Sequence, residues 1–370
     1  MTLQVTALPP TEAGWQAIWS EWEALDEARP IRIPFTGPLW CHRWWAHYRR
    51  DTLFARDTLR LYVIRDDAQR LVAVAPMMMT RRPGRSPFGT RELQFLGADT
   101  NLTELRGMLT APGEEAAAAA ALFTFLAQSD AQSNDQSDGQ SGGQDWVQWH
   151  GLPPGAPPGP GFRPMATVTD HVLTLSSDWA IFRSKLPRNV KEALRKGHNS
   201  LARDQHAWTM TVLDGQALAD ALPRLMTLHT LRSQRAGTVY HPDLFGSPRA
   251  QAFITDYISH AAHARLFALT IGGQYVALRL GFLYRNDLYL YYSGYDPAWS
   301  RYSVMTTLVG AAIEWACAQG LERVNLSTGT DVSKTRWRPA VIETQSGYQV
   351  VGGLRSRLAF AAVALRWSRA

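Results

Sequence analysis

The sequence predicts an α/β protein of two lobes, each a twisted mixed β-sheet flanked by helices. Three observations carry this. The chain has 370 residues, about two to three times a typical domain. Apolar residues make up 45% of it, with 14 Trp, enough for a sizeable core and too many for a disordered chain. One order of elements, hairpin, strand, helix, strand, is legible twice.

In the first half, Leu59–Arg65 (LRLYVIR) reads as a strand, Asp66–Arg70 as a turn and Leu71–Met79 as a second strand. Glu92–Leu96 is a third strand, Glu114–Ala127 an Ala-rich helix, and Trp146–Trp149 (WVQW) an alternating strand. In the second half, strands Ala264–Ile271 and Gln274–Tyr284 flank a Gly272-Gly273 turn. Asn286-Asp287 turns the chain into Asp287–Tyr295. A helix over Val304–Gln319 follows, stopped by Gly320, and Glu322–Ser327 closes the unit. Helical stretches over Asp178–Arg203 and Gln216–Gly237 precede this second copy.

Gln128–Asp145 is low-complexity and predicts a disordered insertion at a helix-to-strand turn. Gly151–Pro164, rich in Pro and Gly, reads as the exit from the first lobe. The expected organisation is a first lobe over residues 1–175 with the insertion at 128–145, a second over 176–353, and a basic helix over 354–370.

Composition narrows the function classes. The net charge is +6, and only four of the 38 basic residues are Lys. That balance is weak support for nucleic acid and suits a polyanionic small ligand equally well. The apolar stretches Ala116–Ala127 and Leu358–Leu365 are too short to span a bilayer. Met1–Trp15 does not read as a signal peptide. Two Cys, Cys41 and Cys317, make neither a disulfide framework nor a metal-ligand spacing. No metal is expected, and the expected address is a reducing cytoplasm.

The chemistry concentrates in Tyr291–Trp337. A strand ending at Tyr295 passes through Asp296–Tyr302 (DPAWSRY) into a helix opened by Ser303, the candidate N-cap. A strand feeding a helix N-terminus makes an anion site, because the first backbone N–H groups are unpaired and the dipole favours negative charge. Arg301 stands where a further positive charge would help a pyrophosphate. The plain alternative is an ordinary capped connection.

Several stretches resemble the GNAT-like acyltransferases of the CelD type, linked to cellulose and exopolysaccharide synthesis and related to the FemAB peptidyltransferases. They are PFTGPLWCHRWW (Pro34–Trp45), LVAVAPMMM (Leu71–Met79), LQFLGADTNLTEL (Leu93–Leu105), YYSGYDPAWSRYS (Tyr291–Ser303) and NLSTGTDVSKTRW (Asn325–Trp337). The resemblance implies tandem GNAT-like lobes and an acetyl- or longer acyl-coenzyme A as co-substrate. It places the coenzyme pyrophosphate on Arg301, Tyr302, Ser303, Val304, Met305 and Thr306. Three departures stand out: no Gly lies between Gly294 and Gly310, Ser333 precedes Lys334, and Asn325 occupies the usually acidic strand end.

Such chemistry needs a base, a polarising N–H and an acid for the leaving thiolate. By residue type, His229 is the base candidate, with a helix-surface histidine as its plain alternative. Tyr292 and Tyr295 are the acid candidates. His241 with Asp243 reads as a turn cap. Lys334 is a further catalytic candidate, and Lys334 and Arg336 either hold an anionic substrate or fix their loop. Arg232, Asp296, Asp331, Arg336 and Trp337 are the candidate substrate contacts. The leading expectation is acyl transfer to an amine or hydroxyl, on a small molecule or a saccharide. The rivals are a FemAB-like transfer from aminoacyl-tRNA, using the basic stretch Asp178–Arg203, and a non-catalytic adaptor in polysaccharide assembly. The tail 354–370 either packs on the sheet or touches an anionic membrane peripherally.

Overall fold

A computed structural model describes residues 2–84, 89–133, 143–234, 242–351 and 353–367. The chain divides into two units, one of Met1–Val168 with Glu343–Ala370, the other of Thr169–Ile342. The division thus falls ahead of Leu175, and the chain after Ile342 returns to the first unit.

The first unit runs β1 (Gln4–Ala7), α1 (Glu12–Glu27), α2 (Pro38–Tyr48), β2 (Arg56–Arg65), β3 (Leu71–Arg82), β4 (Thr90–Phe95), β5 (Leu109–Thr110), α3 (Glu115–Ser133) and β6 (Trp146–Leu152). Trp15, Ile18, Trp22 and Leu25 form the buried stripe of α1 at helical spacing. β3 is apolar on both faces, as a central strand covered on both sides must be. Strand β7 (Phe162–Thr174) then carries the chain into the second unit. Its length corrects the expectation of a loop across Gly151–Pro164, because Phe162 onward is strand.

The second unit continues with α4 (Trp179–Lys185), α5 (Arg188–Arg203), β8 (Trp208–Leu213), α6 (Gly215–Ser233), α7 (Pro248–His260), β9 (Ala264–Ile271), β10 (Gln274–Leu283), β11 (Asp287–Tyr295), α8 (Val304–Ala318), β12 (Arg323–Thr328) and α9 (Val332–Thr335). The basic stretch is two helices rather than one, because Pro187 lacks an N–H and biases Leu186 to an extended conformation (ψ 148°). In α5, Val190, Leu194, Gly197 and Leu201 are buried, which leaves the charges on the outer face. Gly197 lets α5 approach closely: a Cβ there would stand 2.8 Å from Thr307 Oγ1 on α8. Gly320, at φ +73°, terminates α8. Strand β13 (Ala340–Val350) and helix α10 (Leu354–Trp367) complete the chain.

Strand order is β1-β2-β3-β4-β6-β13 in the first unit and β7-β12-β11-β10-β9-β8 in the second. The two repeat one plan. β1–α1–α2–β2–β3–β4–α3–β6 is matched by β8–α6–α7–β9–β10–β11–α8–β12. In each, antiparallel pairs lead to one parallel pair, β4/β6 or β11/β12, with three register positions apiece. This is a mixed α/β architecture with helix-flanked sheets.

One expectation about a surface segment is corrected. Residues 134–142 of the low-complexity stretch lie outside the described residues, but its end is built into the core. Asp145 is fully buried; it accepts from Arg91 N at 2.7 Å and Ser356 Oγ at 2.9 Å. A buried carboxylate needs such partners, so this residue is anchored rather than solvated. In the tail, Phe360 packs on Trp146 and Tyr348, with centroids 5.7 Å away in both cases. Helix α10 therefore has a packed face.

Candidate functional site

The parallel pair β11/β12 joins Asp287 with Arg323, Leu288 with Val324 and Tyr289 with Asn325, and then stops. Both strands run on, so they part. At the same level β11 bulges. Arg279 opposes Ser293 and Gly281 opposes Leu290, so Leu280 alone faces both Tyr291 and Tyr292. A bulge of this kind re-aims the side chains beyond it. Leu288 and Leu290 belong to the core cluster that holds the α8 residues, whereas after the bulge Gly294 abuts α6, 2.4 Å from a would-be Cβ to His229 N. Ser293 and Tyr295 are left to line a cavity of about 310 Å³ at the N-terminus of α8.

The connection into α8 is short. Asp296 accepts from Ala298 N at 3.0 Å and so caps the 3-10 turn Pro297–Tyr302; it does not line the cavity. Ser303 takes the left-handed conformation, φ 56° and ψ 38°, that a glycine would adopt freely. The bend that the missing glycine would supply is thus made at residue 303. Ser303 holds the N-cap position, but its side chain makes no capping bond. The amides of Val304, Met305 and Thr306 precede the first intrahelical bond, Thr307 N–H to Ser303 O at 3.1 Å.

Four cations line this cavity: Arg232, Arg279, Lys334 and Arg336. No Asp, Glu or His is among its described lining residues. Arg232 donates to Ser293 Oγ at 3.0 Å, and Arg279 to Leu290 O at 3.0 Å. Arg336 donates to Thr306 Oγ1 at 2.6 Å, while its buried Nε has no hydrogen-bond partner among the described residues. Burial lowers the pKa of both Arg232 and Arg336; Tyr295 and Asp331 pull Arg232 the other way. Lys334 donates to Thr328 O and pairs with Asp331 at 3.5 Å. Val304, Met305, Val309, Leu326 and Trp337 supply the apolar wall.

The structure therefore gathers Arg232, Tyr295, Ser303, Val304, Met305, Thr306, Lys334, Arg336 and Trp337 into one place. It separates the other candidates. Arg301 points away: its side chain is 70% exposed, pairs with Asp204 at 3.4 Å and lies over the Tyr302 ring. Tyr302 is buried and donates to Asp204 Oδ2 at 2.8 Å. With Arg203, that bond holds the Asp204 carboxyl down to about 2. Asp331 caps α9, accepting from Ser333 N at 3.1 Å.

His229 is neither a surface histidine nor placed as a base. It is buried, with Nδ1 3.0 Å from Ser293 O, so that nitrogen carries the proton in the neutral ring. Nε2 stands 3.4 Å from Pro242 O, and burial lowers its pKa. Tyr292 packs edge-on against His229 and Phe245, on the far side of the bulge. His241 lies outside the described residues. Sequence reasoning missed Arg279 and Ser293. The signal for Arg279 was a lone cation inside the apolar run VALRLGFL. The acid expected at Asn325 comes from elsewhere: Asn325 Nδ2 donates to the buried Asp170 Oδ2 at 2.6 Å.

Residues 188–335 match the model of the acetyltransferase (GNAT) domain. All but Arg336 and Trp337 of the cavity lining fall inside that span. A search of the curated proteins finds no match. Among solved structures, FemX superposes with a TM-score of 0.57 at 9% identity, over 92% of this chain and 96% of that one. The C-terminal domain of a putative lysylphosphatidylglycerol synthetase from Agrobacterium fabrum gives 0.51 at 12%, over 95% and 97%. A conserved protein of unknown function from Bacteroides thetaiotaomicron gives 0.50 at 12%, over 90% and 97%. At these identities the likeness speaks for the fold. The cavity between β11, β12 and the N-terminus of α8 thus lies almost wholly within the stretch that is similar to the acetyltransferase (GNAT) domain.

Proposed function

We propose that the second unit transfers an acyl group from an acyl-coenzyme A to an amine or hydroxyl. The observation that carries this is a cavity with four cations and no carboxylate among its described lining residues, at a helix N-terminus between parting parallel strands. The residues fit a pyrophosphate. The amides of α8 and its dipole favour an anion, and Arg336 Nε is a buried donor without a hydrogen-bond partner among the described residues. A buried cation of this kind is costly until an anion joins it. The apolar wall suits the thioester arm.

In this reading the acceptor attacks the thioester carbon; its new bond forms as the C–S bond breaks. Tyr295, the phenol in the lining, gives the departing thiolate its proton. With no described His, Asp or Glu in the lining, the acceptor's proton passes to water. Lys334 and Arg336 hold the donor rather than carry out proton transfer. The CelD-like segments support a saccharide acceptor in polysaccharide or envelope assembly. The outward Leu354 and Leu358, 73% and 64% exposed, are the face by which α10 would meet a membrane.

Calorimetry against acetyl-coenzyme A and longer acyl-coenzyme A species tests the reading. Micromolar binding is expected, and no binding to any of them contradicts it. A second reading rests on a separate groove of about 660 Å³, where Arg195, Lys196 and Arg203 of α5 meet Arg301. It suits a phosphodiester chain and favours transfer from aminoacyl-tRNA. Binding of tRNA that falls steeply with salt would support it.

A further inference from the structure

The first unit has a cavity at the corresponding place. The parallel pair β4/β6 holds Glu92 with Trp146, Leu93 with Val147 and Gln94 with Gln148, and then parts. A cavity of about 350 Å³ opens beyond it, walled by the loop after β4, by His150 and Gly151, and by Thr344–Ser346.

Its geometry is built, not incidental. Gly107 and Gly151 lie back to back, at φ +154° and +69°. A Cβ on Gly151 would stand 2.8 Å from Arg106 O, and one on Gly107 3.1 Å from His150 O. Only glycines allow this approach, and it brings Arg106 and His150 together. Arg106 Nη1 and His150 Nε2 are buried with no hydrogen-bond partner among the described residues. Burial, then the Arg106 charge, holds the His150 pKa down to about 3, so the ring is neutral. Asp99 is committed to the loop itself, accepting from Trp44 Nε1 at 2.8 Å and Thr103 Oγ1 at 2.7 Å.

Buried polar groups left without partners are costly, and two adjacent ones on one cavity wall mark a place for a ligand's polar atoms. The lining sets the ligand's class. Asp99 and Glu104 outnumber Arg106, so an anion is disfavoured. Asn101, Thr344 and Gln345 add neutral donors and acceptors. No Phe, Tyr or Trp is among the described lining residues, so recognition rests mainly on hydrogen bonds.

We propose that this cavity is a second ligand site, for an uncharged, hydroxyl-rich molecule of the saccharide type. A hydroxyl oxygen accepts from Arg106 Nη1, another group meets His150 Nε2, and hydroxyl protons go to Glu104 and the amide oxygens. The inference stands on the first unit alone and is independent of acyl transfer by the second.

Saturation-transfer NMR of the full chain tests it, with neutral hexoses (glucose, galactose, mannose), cationic glucosamine and anionic glucuronate as probes. A signal from at least one neutral hexose is expected, with affinity about tenfold weaker in Arg106→Gln, or about 1.4 kcal/mol. Glu104→Gln, at the cavity rim, is the second variant and should also weaken it, with thermal unfolding confirming that it folds. No signal from any neutral hexose overturns the proposal. So does a signal unchanged in both variants, or one confined to glucosamine or glucuronate.

Discussion

The two parallel pairs, β4/β6 and β11/β12, hold three register positions each and then open onto a cavity. What lines the openings differs. Beyond β11/β12 stand four cations and no described carboxylate; beyond β4/β6 stand two carboxylates, one Arg and a neutral His. The connection to the next helix explains the difference. In the second unit it is short, and the N-terminus of α8 arrives at the opening. In the first it runs from Leu96 to Glu114, and α3 begins with Glu115, an acid that answers its own helix dipole. The shared fold makes the opening, and the loop decides what charge the opening accepts.

The largest expected effect tests the bulge that shapes the second opening. Tyr295→Phe should lower turnover by about a hundredfold, as loss of a proton donor does. Tyr292→Phe, on the other side of the bulge, should leave turnover within about twofold. Equal losses from both, read by steady-state kinetics with a saturating acceptor, would mean that the strand faces are assigned wrongly.

The next effect belongs to the first unit. His150 has a pKa held below its unfolded value, so between about pH 6.5 and 3 the unfolded chain binds the extra proton. Stability is then full above about 6.5 and is lost as pH falls through that window. The slope is at most about 1.4 kcal/mol per pH unit. His150→Gln should flatten the slope in urea unfolding curves taken across the window. An unchanged slope would remove His150 from the account.

A smaller effect concerns the strained turn into α8. Ser303→Gly should raise stability by up to about 1 kcal/mol, because glycine meets no Cβ penalty in the left-handed region. Thermal unfolding reads this, and a lower Tm would show that the Ser303 side chain has an unseen role.

Much of this was legible in the sequence. The repeated hairpin, strand, helix and strand follow from local periodicity, and the strand-loop-helix at Tyr291–Gln319 contributes to the candidate cavity. What was not legible is mainly non-local. Strands β7 and β13 find their partners, β12 and β6, across long stretches of chain. A period-two reading of DLYLYYSGY does not show that one extra residue changes which tyrosine faces the cavity. Arg301 stands at the expected place in the chain, but Asp204 and the Tyr302 ring draw its side chain off. Arg336, eleven residues past Asn325 on β12, reaches the helix terminus instead through Thr306 Oγ1.

The most direct measurement titrates acetyl-coenzyme A into the unaltered protein, Arg336→Gln and Arg301→Ala by calorimetry. The account predicts micromolar binding to the first. It predicts a loss of about 2–3 kcal/mol in Arg336→Gln, the worth of a charge-assisted contact to phosphate. It predicts a change of less than about twofold in Arg301→Ala. Loss of binding in Arg301→Ala with Arg336→Gln unaffected would move the anion site out of the cavity and contradict the account.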